Sequence, residues 1–123
     1  MEQRGKKTIS LYAALLTVTA ACLCVRALYG FCWSDESFYL TFAQRLWNGQ
    51  QLILDEWHPV QFYSAIFYPV LTAYKFFFGT EGIYLFARIL YVVLAWGVSL
   101  FVLFTFRKYT KPFPAFLCAA LVL

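Results

Sequence analysis

The chain has 123 residues, of which 63% are hydrophobic and 13% are charged, and its mean hydropathy is +0.67. Soluble domains carry about 25% charged residues, so this composition excludes an ordinary soluble domain and indicates an integral membrane protein. The net charge of +4 comes from basic residues scattered at the ends of apolar blocks, which excludes a continuous basic stripe for nucleic acid.

The first predicted element is an apolar run over about residues 8–33, preceded by Arg4, Lys6 and Lys7. About 20 residues of helix are enough to cross the hydrocarbon core of a bilayer, so the run predicts a membrane span. Basic residues before a first span keep the N-terminus in the cytoplasm. We therefore expect this span to run outward and the segment after it to face the outside.

An outer loop over residues 34–59 follows, and its first part predicts an amphipathic helix. Polar residues recur at helical spacing along one side of this helix, and aromatic and aliphatic residues occupy the other side. The polar residues are Ser37, Thr41, Gln44, Arg45 and Asn48. Ser34 suits the N-cap and Gly49 suits the end of the last turn. Because apolar segments flank this helix, we expect it to lie in the membrane interface.

Three further apolar segments cover about residues 61–78, 83–106 and 112–123. The first two predict complete spans and the third predicts a partial one. A helix that stopped partway through the hydrocarbon would leave carbonyl groups without partners. We therefore expect residues 1–123 to form a single membrane module that belongs to a longer enzyme. The predicted fold class is an all-α, polytopic transmembrane protein.

The basic cluster of Arg107, Lys108 and Lys111 conflicts with three complete spans. Three spans from a cytoplasmic N-terminus would put this cluster outside, against the positive-inside rule. Either residues 61–78 do not fully cross the membrane, or the N-terminal charges dominate and the later cluster is tolerated outside. The sequence favours the second alternative, because the first helix usually dominates the orientation.

The outer loop holds four of the six acids of the chain and its single histidine. These residues are Asp35, Glu36, Asp55, Glu56 and His58. Acids near arginines suit a reaction on a lipid-linked anionic substrate, since a lipid phosphate needs cations and a hydroxyl acceptor needs a base. Asp35, Asp55 and Glu56 are also the residues expected to hold a divalent cation, if one is bound. The alternative is that all these acids are solvated loop residues and helix caps.

Several short motifs occur in a fixed order along the chain. An apolar first helix is followed by Asp35-Glu36 and Tyr39, the segment AQRLWNG at 43–49, His58-Pro59, Phe78-Gly79 and Ala87-Arg88. This ordered set resembles the GT-C glycosyltransferases. It is most similar to the bacterial branch related to protein O-mannosyltransferases and to the aminoarabinose transferase of lipid A. The resemblance covers roughly residues 11–122.

The resemblance implies a polytopic enzyme that moves a sugar, with inversion, from a polyprenyl-phosphate carrier to a lipid, glycan or protein acceptor outside the cytoplasm. It implies Asp35 as the catalytic carboxylate and Glu36 as its support. His58 and Arg88 are then expected to contact the lipid phosphate, and Tyr39 to belong to the substrate-binding residues. Members of the family are several times longer than this chain, so we expect it to be inactive alone.

A second function, from a different class, remains open. The chain would then be a small, non-catalytic, multi-pass membrane protein that binds a membrane partner through its helices. In that case Arg88 would be a helix-end or buried structural residue, and His58 would be hydrogen-bonded within the loop.

The sequence departs from the aminoarabinose transferase at Phe38, where that family has an arginine.

Overall fold

The computed structural model describes the backbone of residues 2–29, 36–51, 54–55 and 61–123. Within these ranges, side chains are described for residues 7–29, 40–51, 54–55, 62 and 64–123. The regular structure of this part of the chain consists of five α-helices. They are α1 (Glu2–Tyr29), α2 (Glu36–Trp47), α3 (Gln61–Phe78), α4 (Ile83–Phe106) and α5 (Pro112–Ala120). The all-α fold class is thus confirmed for the described residues.

The helix bounds follow the predicted apolar segments closely. Helices α3 and α4 begin and end where the sequence predicted, at 61–78 and 83–106. Helix α5 begins at the predicted residue and ends at Ala120, and α1 begins earlier than predicted, at Glu2. Helix α1 gains its first turns because no proline or cap interrupts the chain before the apolar run.

Two of the described helices are long and apolar enough to cross a membrane. The qualifying segments are Lys7–Tyr29 of α1 and Ile83–Phe106 of α4. Helix α3, predicted as a complete span, does not qualify, although its 18 residues reach the minimum length. Its apolar run is diluted by Pro69, Lys75 and several tyrosines. Residues 61–78 therefore form the predicted helix without the apolar character of a typical span.

The chain forms two compact units. Unit 1 consists of Met1–Tyr29 and Arg88–Leu123, and unit 2 consists of Gly30–Ala87. In unit 1, α1, α5 and the larger part of α4 pack around Leu16, Leu103, Ala115 and Ala119. Alanines at a helix interface allow the backbones to approach closely. The core of unit 1 is therefore small and tightly packed.

Helices α1 and α4 run in opposite directions within unit 1. Near the middle of both helices, the indole Nε1 of Trp96 donates to Thr17 Oγ1 at 3.2 Å. Further along α1, Nη1 of Arg88 donates to the carbonyl oxygen of Ala27 at 3.1 Å. A lower residue number on α4 thus pairs with a higher one on α1, so the two helices are antiparallel.

Helix α5 returns beside α1 in the same direction. The ring of Tyr12 stacks on Phe116, with centroids 4.6 Å apart. The buried hydroxyl of Ser99 donates to the carbonyl oxygen of Ala119 at 2.7 Å and joins α5 to α4. Because α4 runs against both neighbours, the turn at residues 107–111 lies at the same end of unit 1 as the start of α1.

Unit 2 is organised by the packing of α2 on α3 and on the first turn of α4. Ala43, Leu71 and Ile83 form its buried centre. The amphipathic pattern predicted for α2 is confirmed over its described side chains, since Phe42 and Ala43 are buried and Thr41 is exposed. The location of α2 in the membrane interface stays a prediction, and Phe42 and Ala43 on its apolar side are covered by protein.

Gly49 ends α2, as the sequence predicted. Its φ of +83° lies in the left-handed region, where glycine has no steric penalty. The Gly49 amide donates to Leu46 at 3.1 Å, and the Gln50 amide donates to Arg45 at 3.0 Å. This pair of bonds is a Schellman motif, which satisfies the last carbonyl groups of the helix.

We predict that Leu103→Ala destabilises unit 1 more than Leu94→Ala on the same helix. Leu103 is fully buried, whereas Leu94 is 44% exposed. Truncating a buried leucine costs about 2 to 5 kcal/mol, because transfer and cavity terms add. A titration of each purified variant with a denaturing detergent measures its free energy of unfolding. Equal losses for the two variants would contradict the proposed core.

Candidate functional site

Most of the predicted site lies outside the described residues. Asp35, Glu56 and His58 belong to the ranges that the structure does not describe. Glu36 and Tyr39 lie in α2, but their side chains are not among those described. The roles that the resemblance implies for these five residues therefore remain predictions.

Helix α2 begins at Glu36, directly after Asp35 in the sequence. The N-terminus of a helix carries about half a positive elementary charge, which stabilises nearby carboxylates. Glu36 is the first residue of α2, the end of the helix at which the backbone favours negative charge.

Asp55 is the one predicted metal-binding acid that the structure describes. Its Oδ2 accepts a hydrogen bond of 2.6 Å from the amide of Gln51, and its own amide donates to the Gln51 carbonyl at 3.3 Å. The carboxylate thus closes a local turn in an exposed segment. This contact matches the alternative interpretation of Asp55 as a loop acid.

Arg88 belongs to unit 1 and is half-buried near the start of α4. Its Nη1 donates to the carbonyl oxygen of Ala27, which lies in the last turn of α1. The last four carbonyl groups of a helix have no partner within the helix, so Arg88 satisfies one of them. The described bond of Arg88 thus joins α4 to the end of α1, and the contact with the lipid phosphate stays a prediction.

The described residues contain no group of three or more His, Cys, Asp or Glu side chains that would hold a metal ion. Two of the three residues considered for a divalent cation, Asp35 and Glu56, lie outside the described ranges. The divalent cation therefore remains a prediction that depends on those two residues.

Trp47 forms a polar and aromatic cluster that the sequence did not predict. Its Nε1 donates to Thr72 Oγ1 at 2.9 Å, and the Lys75 Nζ lies 4.2 Å from the ring centroid. The ring centroid of Tyr68 lies 6.2 Å from that of Trp47. The Lys75 contact is a cation–π interaction, and such contacts are worth about 0.5 to 1 kcal/mol at exposed sites.

A signal for this cluster was present in α3. Tyr68, Thr72 and Lys75 follow one another at spacings of four and three residues, which places them on one side of the helix. Because a Trp N–H usually needs an acceptor when it is partly buried, the hydroxyl of Thr72 was a suitable partner. The sequence could not tell that this side faces α2.

Taken together, the fold and the described side chains define an α-helical protein with two helices of membrane-spanning length and composition, which suggests membrane association. Comparison of the chain with protein family models, curated proteins and solved structures gives no match.

We predict that Arg88→Met loosens the last turn of α1, because the Ala27 carbonyl loses its donor. Amide hydrogen exchange of residues 26–29 should become several-fold faster in this variant. Arg26→Met, which removes an exposed cation from the same turn, serves as the matched control and should leave the exchange unchanged. Equal exchange in both variants would show that the Arg88 contact does not hold this end of α1.

Proposed function

We propose that the chain is a membrane module of a GT-C-type glycosyltransferase, which takes a sugar from a polyprenyl-phosphate carrier. The observation that carries the proposal is the order of the elements. In the sequence, Asp35-Glu36 follows a helix of membrane-spanning length, Glu36 is the first residue of the short amphipathic helix α2, and Arg88 bonds to the end of that first helix. This order is the one that the resemblance implies for a site at a membrane surface.

In the proposed reaction, Asp35 accepts the proton of the acceptor hydroxyl while the hydroxyl oxygen attacks the anomeric carbon. The bond between this carbon and the phosphate oxygen breaks, and polyprenyl phosphate leaves with the electron pair. Attack opposite the leaving group inverts the anomeric configuration. His58 and Arg88 stabilise the negative charge that develops on the phosphate, Glu36 supports Asp35, and Tyr39 binds substrate.

The contact between Arg88 and Ala27 is compatible with this role. Ala27 precedes Asp35 by eight positions, so Arg88 is bonded to the part of α1 that leads into the acidic pair. Under this proposal, Arg88 holds the end of α1 through this bond and also contacts the lipid phosphate.

We further propose that the chain crosses the cell membrane twice between Lys7 and Phe106. Helices α1 and α4 are antiparallel, so an even number of crossings must separate them. Helix α2 has 12 residues and is about 18 Å long, too short for a hydrocarbon core of about 30 Å. Since α2 does not cross, the number of crossings between α1 and α4 is even only if α3 does not cross either. This is the first of the two topologies considered above.

This topology removes the conflict with the positive-inside rule. The cluster of Arg107, Lys108 and Lys111 then shares the cytoplasmic side with the basic N-terminus. Residues 34–59, which carry the predicted acids, remain outside. The proposal thus places a lipid-facing reaction at the extracytoplasmic surface of a multi-pass membrane protein.

A specific observation favours the second candidate function, a non-catalytic membrane protein that binds a membrane partner. Arg88 and Asp55, two of the predicted site residues whose side chains are described, both bond to backbone groups. Such contacts are what purely structural residues make. Under this alternative, the exposed apolar sides of α1 and α4 would bind the partner.

We predict that Asp35→Asn in the longest natural form of the protein abolishes sugar transfer from a polyprenyl-phosphate donor in membranes. Losing a general base typically lowers the reaction rate by a factor of about 10² to 10⁴. Glu81→Gln, an exposed acid in the turn before α4, is the matched control and should transfer sugar normally. Full activity of Asp35→Asn at equal abundance would remove Asp35 from the mechanism.

The topology predicts which positions react with a membrane-impermeant thiol reagent in sealed, right-side-out vesicles. In a background without the four native cysteines, Asn48→Cys should be labelled and Tyr109→Cys should be protected until detergent is added. Both native side chains are exposed in the protein, so the membrane alone should decide the result. Labelling of Tyr109→Cys in intact vesicles would indicate three crossings.

A further inference from the structure

Four described basic side chains lie at one end of unit 1. Lys7 is exposed at the start of the apolar part of α1, and Arg107, Lys108 and Lys111 are exposed in the turn between α4 and α5. The antiparallel pairing of α1 with α4 brings these two segments to the same end. We call this set of four residues the basic end. In the sequence, Arg4 and Lys6 immediately precede it.

The turn that carries three of these cations is ordered by hydrogen bonds. The amides of Arg107 and Lys108 donate to Leu103 and Thr105 at 3.1 and 3.2 Å. The Thr110 hydroxyl also donates, at 3.1 Å, to the Phe106 carbonyl. These hydrogen bonds order the backbone of the turn, so its three basic side chains project from one ordered segment.

The charges of the basic end are not balanced within unit 1. In the ranges 1–29 and 88–123, the sequence contains a single acid, Glu2, and the described side chains of unit 1 include no carboxylate. Lys111 is the N-cap of α5, where the helix dipole is positive and a further cation is unfavourable. An anion from outside the chain would relieve this repulsion.

The basic end also borders directly on apolar surface. Phe104, whose ring lies 5.2 Å from the guanidinium carbon of Arg107, is partly exposed, and Phe113 and Leu11 are exposed nearby along α5 and α1. Tyr109 is 80% exposed in the same turn, as expected for an aromatic residue at a membrane interface. A ligand here would meet cations at one end and apolar side chains at the other.

We propose that the basic end binds the head groups of anionic phospholipids in the adjacent leaflet. Clusters of basic residues directly beside membrane spans attract anionic lipids, with about a fivefold gain in affinity for each residue. The adjoining apolar sides of α1, α4 and α5 would contact the acyl chains, which a soluble phosphate or a phosphopeptide lacks. The proposal uses the membrane orientation proposed above, but it does not depend on sugar transfer.

The test measures binding of labelled phosphatidylglycerol and labelled phosphatidylcholine to the purified chain in mixed micelles at low salt. We expect the parent protein to prefer phosphatidylglycerol. The triple variant Arg107→Gln, Lys108→Gln, Lys111→Gln should lose roughly a hundredfold in affinity for it, since three contributions of about fivefold are removed. If the parent protein bound both lipids with equal affinity, this result alone would overturn the proposal, before any variant is measured.

Two controls separate charge from folding. The charge-preserving variant Arg107→Lys, Lys108→Arg, Lys111→Arg should bind as the parent does. Arg26→Gln, which removes a cation near the other end of α1, should also bind normally. A loss of the same size in either control would overturn the assignment of binding to the basic end.

Competition distinguishes a lipid from a free phosphate. We expect glycerol phosphate and inorganic phosphate to displace the labelled lipid only at concentrations far above that of unlabelled phosphatidylglycerol. Displacement at comparable concentrations would show a site for soluble phosphate and overturn the lipid proposal. Because none of these measurements involves sugar transfer, they succeed or fail independently of the proposed enzymatic function.

Discussion

The antiparallel pairing of α1 with α4 sets the directions of the helices in unit 1. Two long-range hydrogen bonds, from Trp96 to Thr17 and from Arg88 to Ala27, define the direction of one helix against the other. In a bilayer, the directions of two spans decide whether an even or an odd number of crossings separates them. The proposed topology, with the 107–111 turn and the basic N-terminus on one side of the membrane, rests on this pairing.

Polar groups within the apolar helices are satisfied inside the protein. The Thr17 hydroxyl donates to the Ala13 carbonyl at 2.9 Å while it accepts the Trp96 indole, and Ser99 donates to Ala119. In hydrocarbon, a polar group without a partner costs several kcal/mol. Among the described residues, no buried side-chain nitrogen or oxygen lacks a hydrogen-bond partner. The same requirement explains how Arg88 is tolerated in α4.

The positions of the helices could be predicted because apolar runs and helix-breaking residues mark them directly. Gly79 and Gly82 separate α3 from α4, and both have the positive φ that such turns favour. In addition, a Cβ at Gly82 would lie 3.0 Å from the Tyr74 hydroxyl, so a larger residue would crowd this hydroxyl as well as strain the backbone. These signals are local, and they can therefore be read from the sequence.

Contacts between helices could not be predicted, because they depend on which sides of the helices meet. The spacing of Thr72 and Lys75 puts them on one side of α3, but it does not show that this side meets Trp47, nor that protein covers Phe42 and Ala43. The candidate site was predictable only as a set of residue types, from their order and from the family resemblance. For Arg88 and Asp55, the structure adds backbone contacts that residue type alone cannot indicate.

We propose that the outer segment of this module, residues 34–59, meets a polyprenyl phosphate at the membrane surface. A photoactivatable polyprenyl-phosphate probe can be crosslinked to the longest natural form of the protein in membranes, and the crosslinked residues mapped by mass spectrometry. We expect crosslinks within residues 34–59 and close to Arg88, and their loss when unlabelled polyprenyl phosphate competes. Crosslinks confined to the exposed apolar sides of α1 and α4, unaffected by the competitor, would refute the proposal.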